Sequence, residues 1–409
     1  MFINEQAPLV FAYIDPGTGS ALFTILIGLI GVVFYGAKGL FIKLKSGIRK
    51  EKVNDILIPY VIYTDSKRYW NVFKPICDEF ESRKINLKYY TQSQDDPVFN
   101  TNYKYVEPTF IGEGNKGITK MNFLNAGVVL STTPSLNVYQ WKKSKNVKLY
   151  VHIPHACSDI TLYRMFGIDY YDAILTTGEF QIEQIRKLEK LRNLPRKDCK
   201  VVGLTYFDDV NKRLNNSKKV KNKKPVVLIA PSWGPSSLLN LYGSKLIDKL
   251  LATNNEVIIR PHPQSLISES KMINDLEEKY PSIEWNKDND NFDVLNKADI
   301  LVSDFSGVIF DFALVFDKPV IYANTDFDYS IYDAYWLNEE LWTFKVLPLL
   351  GEKLTEENLN NIGSLIGECL KNTKYKEGRK QVKLDSWQNI GKSASSIVDY
   401  MINRLEENK

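Results

Sequence analysis

Only three of the 409 residues are histidines, His152, His155 and His262, and two of them stand where a side chain can do chemistry. His155 ends the run NVKLYVHIPH, and His262 follows EVIIR within RPHPQ. Both runs read as strands, and in open α/β sheets ligands bind in the crevice outside the carboxyl ends of the strands. An imidazole with its ordinary pKa near ~6.5 takes or gives a proton at neutral pH. Pro261 and Pro263 fix the backbone on both sides of His262 and remove two amide donors, which holds the ring in place. Arg260 and His262 can both donate hydrogen bonds to a phosphate. SDFSG, residues 303–307, also follows a strand and opens a helix. Ser303, Ser306 and the amides near Gly307 would then face an anion at the helix start. Asp304 and Ser306 could equally cap that helix, and capping does not exclude phosphate binding. Asp311, inside the helix, could make a local ion pair. His152 reads as structural, because the alternation in LYVHIP points it into the fold. Three strand-end clusters can therefore converge on one cleft, His155 from one side and His262 and Ser306 from the other.

The elements that must position these residues are strands alternating with helices. ILIPYVIYT, INLKYYTQ, AGVVLSTTPS, NVKLYVHIPHA and YDAILTTGE read as strands of a first half. KPVVLIAPSWG, EVIIRPHP, ADILVSD and KPVIYA restart the pattern in a second half, and the last sixty residues read as mostly helical. Such alternation implies parallel sheets covered on both faces. We expect a Rossmann-like domain over 53–210, a basic linker over 211–224 and a second Rossmann-like domain over 225–409. The linker region carries seven Lys and Arg between residues 211 and 225, and it reads as a solvated connection or a second contact with an anionic lipid or polymer. KDNDN, residues 287–291, looks like a polar loop rather than a metal motif.

Composition narrows the function. A net charge of +4 on 409 residues does not suggest a nucleic-acid binder. The four cysteines are scattered without a CxxC, which fits reduced thiols in a cytosolic domain. There is no GxxxxGK[ST] and no well-placed GxGxxG, so neither an ATPase nor a dehydrogenase is supported. The N-terminus differs from the rest. From Pro16 to Ala37 there is no charged residue, and Lys38, Lys43, Lys45, Arg49, Lys50 and Lys52 follow. About 20 apolar residues span a bilayer as a helix, and flanking basic residues favour the cytoplasmic side. Residues 1–52 are expected to form a single-pass anchor and basic juxtamembrane segment, with the catalytic body in the cytoplasm. A re-entrant or interfacial helix and a buried core helix are the alternatives.

PSWG, RPHP and ADILVSDFSGVIFDFALVFDKPVIY resemble the CDP-glycerol glycerophosphotransferases of teichoic acid and capsule synthesis. The family pattern falls on Ser303, Asp304, Phe305, Ser306, Phe310 and Asp311, and VHIPHA resembles the family's strand ending in His-Gly. The resemblance implies a GT-B arrangement of two Rossmann-like domains. It also implies catalytic roles for His155 and His262, and a donor site that includes Ser232, Trp233, Arg260, Ser303, Asp304, Ser306, Gly307 and Asp311. Three positions depart from the pattern: Ala156 stands where the family usually has Gly, Gly234 where it often has Arg, and Gly307 where it has a second Ser.

On this reading the partners are CDP-glycerol or a related CDP-polyol, a lipid-linked or polymer hydroxyl acceptor, and the membrane. No cofactor is called for, and nothing in the sequence demands a metal. A GT-B glycosyltransferase using a nucleotide sugar and a non-catalytic membrane partner of a capsule assembly complex are the other classes. The anchor has a direct check. The intact chain should sediment with membranes and stay there in high salt, whereas a chain beginning near residue 53 should be soluble and folded; an intact chain that is soluble without detergent contradicts the spanning helix.

Overall fold

Two all-parallel sheets organise the chain. The computed structural model describes Val33 and residues 57–218, 220–323 and 327–407. Apart from Val33, the expected anchor lies outside the described residues; among the described residues no helix is long and apolar enough to cross a membrane. The first sheet contains β1 (Ile58–Thr64), β2 (Leu87–Thr91), β3 (Val106–Phe110), β4 (Ala126–Ser131), β5 (Val147–His152), β6 (Ala173–Thr176) and β7 (Asp198–Val201). Their order is β3-β2-β1-β4-β5-β6-β7. The second contains β8 (Val226–Ile229), β9 (Glu256–Ile259), β10 (Glu284–Trp285), β11 (Ile300–Ser303), β12 (Val320–Ala323) and β13 (Gly351–Leu354), in the order β10-β9-β8-β11-β12-β13. AGVVLS of β4, VVLI of β8 and ILVS of β11 are buried at every position. Continuous apolar runs of this kind mark strands covered on both faces.

In each sheet the strand order reverses once, between β1 and β4 in the first and between β8 and β11 in the second. A crevice opens at such a point because the helices that follow the two central strands cover opposite faces. The residues after β1, β4 and β5 and those after β8, β9 and β11 therefore edge the space between the two sheets.

Two elements differ from the sequence reading. The expected linker begins inside a helix, Thr205–Asn216. The last helix, Ser393–Glu407, was grouped with the second half but packs on the first sheet. Its Ile397, Val398, Tyr400, Met401 and Leu405 share a buried cluster with Tyr60, Ile62, Phe73 and Val128. Gly127 of β4 permits the approach: a methyl group there would lie 2.4 Å from Leu405 Cδ1 and 2.7 Å from the Pro59 carbonyl oxygen. The helix's apolar stripe is legible in sequence, but which sheet it covers is not.

The halves are tied again beside the cleft. Arg164 pairs with Tyr332 as an isolated antiparallel bridge. Asp333 accepts from the amides of Phe166 at 2.7 Å and Gly167 at 3.1 Å. The buried Arg192 guanidinium reaches Asp169 at 2.7 Å and Asp333 at 2.5 Å, lying 5.1 Å from the centres of both the Phe166 and Trp336 rings. Asp159 accepts from the amides of Trp342 and Thr343, each at 2.8 Å, at the start of the helix Trp342–Leu350.

Met401 is fully buried between the last helix and the first sheet. Met401→Ala should therefore lower stability by about 2–5 kcal/mol, read as a fall in the denaturation midpoint. A change within ~0.5 kcal/mol would mean that this helix does not help to hold the first sheet.

Candidate active site

The space between the two sheets holds a cleft of about 470 Å³. Arg68, Tyr69, Asn71, His155 and Ala156 line it from the first sheet; Ser232, Trp233, Arg260, His262, Ser306, Gly307 and Asp311 line it from the second. Eight of the ten residues singled out from sequence are thus brought to one cavity. Ser303 and Asp304 are not among its lining.

His155 reaches the cleft because IPH continues β5 in an extended path past the sheet. Its Nδ1 lies 3.5 Å from the hydroxyl of Thr132, which follows β4, and the Tyr69 ring centre is 5.0 Å away. Burial, assisted by the Arg68 guanidinium, lowers its pKa to about 4. His262 is oriented by its own turn: the Gln264 amide donates to its Nδ1 at 3.1 Å. The neutral ring therefore carries its proton on Nε2 and offers that N–H as a donor. Burial is again the main cause of a pKa lowered to about 4, with Arg68 adding to it and Glu269 opposing it. Both cleft imidazoles are neutral at physiological pH.

Asp304 is a correction. It is fully buried, and its carboxylate accepts from the Ser232 amide at 2.9 Å, the Ser232 hydroxyl at 3.0 Å, the Leu238 amide at 2.8 Å and the Ser306 amide at 3.0 Å. Four donors occupy its lone pairs, so it shapes the wall of the cleft and does not reach into it. The Ser303 hydroxyl likewise donates to the Ala230 carbonyl at 2.6 Å, tying β11 to the end of β8. With the Ser306 amide committed to Asp304, the anion site expected at the helix start is reduced. The helix itself is shorter than expected, a single α-turn over Val308–Phe310 that continues as a π-helical turn over Asp311–Val315.

That π-turn carries Asp311 into the cleft. The expected ion pair is not made: among the described residues no cation lies within salt-bridge distance, and Oδ2 instead meets the Tyr206 hydroxyl at 3.2 Å and Asn291 Nδ2 at 3.3 Å. Burial raises the carboxyl to about 7, opposed by Asn291, Tyr206 and Arg260. Arg260 is itself held by the Asn286 side chain and by the Asp288 carbonyl at 2.7 Å. Its guanidinium braces the KDNDN loop at the cleft edge. Ala156 and Gly307, two of the departures from the family pattern, face each other across the cleft: a methyl group on Gly307 would lie 3.8 Å from Ala156 Cβ.

Sequence reasoning missed Arg68, Tyr69, Tyr206, Asn289 and Asn291. Arg68 and Tyr69 follow β1 as His155 follows β5, so the strand-end rule applied to ILIPYVIYT would have found them. Arg68 makes no salt bridge among the described residues, and its charge acts on both cleft histidines. Asn289 and Asn291 sit in the loop read as merely polar. Among the described residues no group of three His, Cys, Asp or Glu side chains is arranged to hold a metal ion.

His152 is buried, meets the Tyr163 hydroxyl at 3.1 Å and is lowered to about 3. In the ligand-free protein, then, none of the three imidazoles should take up a proton between pH 8 and pH 5.5. Histidine ring NMR signals provide the measurement. A midpoint near ~6.5 for His155 or His262 would contradict the burial described.

Residues 174–344 match the model of the family described as CDP-Glycerol:Poly(glycerophosphate) glycerophosphotransferase. The matched segment holds Arg260, His262 and the SDFSG block; His155 precedes it. No curated protein matches the sequence. Among solved structures, the wall teichoic acid polymerase TagF superposes with a TM-score of 0.59 at 15% identity, over 93% of this chain and 98% of that one. The S. aureus MnaA–UDP co-structure gives 0.58 at 12% identity, over 86% and 97%. A putative UDP-N-acetylglucosamine 2-epimerase from Listeria monocytogenes gives 0.54 at 13% identity, also over 86% and 97%. At these identities the likeness is one of fold, and that fold is GT-B-like. Through residues 174–344 and the motifs they carry, the chain is similar to the CDP-glycerol:poly(glycerophosphate) glycerophosphotransferases, and that segment is the part of a glycerophosphotransferase-like transferase.

Proposed function

We propose that the chain is a membrane-associated transferase that moves glycerol phosphate, or a similar polyol phosphate, from a CDP-activated donor to a hydroxyl of a lipid-linked or polymeric acceptor in cell-surface polymer synthesis. The observation that carries this is the pairing of His155 and His262, each following a strand of a different sheet, on one cleft. The apolar segment 16–37 and the basic residues after it support a membrane location with the catalytic body in the cytoplasm.

In the reaction the acceptor oxygen forms a bond to the phosphorus that bears glycerol, and the bond from that phosphorus to the bridging oxygen breaks, releasing CMP. His155 takes the proton of the attacking hydroxyl. A neutral imidazole is ready for this, although one held near 4 is a weak base. The negative charge of a bound donor opposes Arg68 and raises it toward the useful range. His262 donates from Nε2 to the diphosphate and steadies the leaving oxygen, with Arg68 supplying positive charge from the opposite wall. Transfer of this type rests on positioning and electrostatics, and no covalent enzyme intermediate is needed.

The two histidines should separate in experiment. His155→Ala should bind CDP-glycerol nearly normally and lose roughly 10²–10⁴ in single-turnover CMP release. His262→Ala should lose both affinity and rate, because its hydrogen bond serves ground state and transition state alike. Equal and mild losses in the two variants would remove both from catalysis and return the chain to a non-catalytic reading. Release of UDP from nucleotide sugars in preference to CMP from CDP-glycerol would reassign the donor.

A further inference from the structure

His152 is fully buried behind the cleft wall, and a purely structural role leaves part of it unexplained. Among the described residues its Nδ1 has no hydrogen-bond partner. The hydroxyl of Tyr171, whose ring centre is 4.9 Å away, is spent on the Thr133 carbonyl at 2.5 Å. An unpaired buried nitrogen costs free energy, and an apolar side chain would fill the place without that cost. The other nitrogen shows what is gained. His152 Nε2 lies 3.1 Å from the Tyr163 hydroxyl. The Tyr163 ring stands between two imidazoles, its centre 5.2 Å from that of His152 and 6.3 Å from that of His155. The hydroxyl of the fully buried Thr132 bonds to Tyr163 Oη and lies 3.5 Å from His155 Nδ1. Four groups thus stand in a row: His155 Nδ1, Thr132 Oγ1, Tyr163 Oη and His152 Nε2.

We infer that Tyr163, backed by His152 and joined to His155 through Thr132, is a positioning residue that fixes the His155 ring with its proton on Nδ1 and leaves Nε2 bare. The inference rests on His155 as the base of the reaction above and deepens that reading. Which ring nitrogen of a histidine carries the proton is set by the hydrogen bond the other makes. Each hydroxyl has one proton to give, so the row runs in one of two directions. Run from His155 to His152, Nδ1–H donates to Thr132, Thr132 donates to Tyr163, and Tyr163 donates to His152 Nε2. His155 Nε2 then keeps the lone pair that an attacking hydroxyl's proton needs. Run the other way, Thr132 donates to Nδ1 and the proton sits on Nε2, where it blocks that role. The first direction is favoured because the phenol, the more acidic of the two hydroxyls, meets an imidazole nitrogen, the strongest acceptor in the row. Burial keeps both imidazoles neutral, so each has one bare nitrogen. His262 is the other way round, its Nδ1 accepting from the Gln264 amide. The cleft therefore meets its substrates with one imidazole that accepts a proton and one that donates.

The test uses the full-length protein in detergent, at neutral pH, with isotope-labelled histidine. Nitrogen NMR separates a ring nitrogen that carries a proton from a bare one, and with only three histidines in the chain the variants His155→Ala and His262→Ala assign the signals. The wild type should show His155 protonated on Nδ1 and bare at Nε2. Tyr163→Phe should move that proton to Nε2 in a measurable fraction of molecules. It should also slow single-turnover CMP release by at least about tenfold while CDP-glycerol affinity stays within about threefold. Thr132→Val, of nearly the same shape, breaks the row one step closer to His155, should act in the same direction, and serves if the first variant fails to fold. A wild type with the proton on His155 Nε2 overturns the inference. So do folded variants in which the proton stays on Nδ1, whatever happens to the rate, since a slower enzyme with an unchanged ring marks damage to packing alone. The spectra need no substrate. A wild type that releases no CMP from CDP-glycerol therefore sinks the donor reading separately, and the place of the proton is still decided by the spectra.

Discussion

The carboxylate of Asp304 holds the second half of the cleft in shape. It sits after β11, next to β8 in the sheet, and gathers the amides of Ser232, Leu238 and Ser306 and the Ser232 hydroxyl. Those groups belong to three separate pieces of chain: the loop after β8, the helix start that follows it, and the turn after β11. Each leaves the sheet with polar backbone atoms that burial would strand. One ion satisfies them together. A buried charge survives only when its hydrogen bonds replace water, and here the charge and the loops meet each other's need. The positions of Trp233 and Ser306 on the cleft wall follow from that arrangement.

The first half has its own fixed point at the interface with the second. Arg192, nearly enclosed between Phe166 and Trp336, pairs with one carboxylate from each half, Asp169 and Asp333. The backbone between Tyr163 and Gly167 is thereby held by Asp333 and Tyr332. This backbone continues the segment that carries His155. Breaking such a pair by removing one partner is costly, because it leaves a buried charge uncompensated. The relative setting of the two histidines thus depends on contacts outside the cleft as well as on the sheets.

Much of this was legible in sequence where a residue's role follows from its place at a strand end. His155, His262 and the SDFSG block are of that kind, because a buried parallel strand declares itself by an unbroken apolar run. The same rule, applied to the end of β1, also marks Arg68 and Tyr69. Other roles were not legible. Asp304 and Asp311 stand seven residues apart in one motif, yet one is spent within the wall and the other opens to the cleft. The π-turn that separates them in space has no sequence signature. Asn289 and Asn291 looked like solvated loop residues, since only the tertiary fold brings that loop against Tyr206. The last helix announced its apolar stripe but not its partner.

The return of that helix bears on how the chain is made. Ile397, Met401 and Leu405 complete a core begun by Tyr60, Ile62 and Phe73, more than three hundred residues earlier. During synthesis the first sheet emerges and can pair its strands, but part of one face stays uncovered until residues 393–407 have left the ribosome. Chains grow at roughly 5–20 residues per second, so the second sheet is finished while the first still waits. An apolar face open for that interval invites association with chaperones or with neighbouring nascent chains. A product that stops short of the helix Ser393–Glu407 leaves part of its first sheet unsealed.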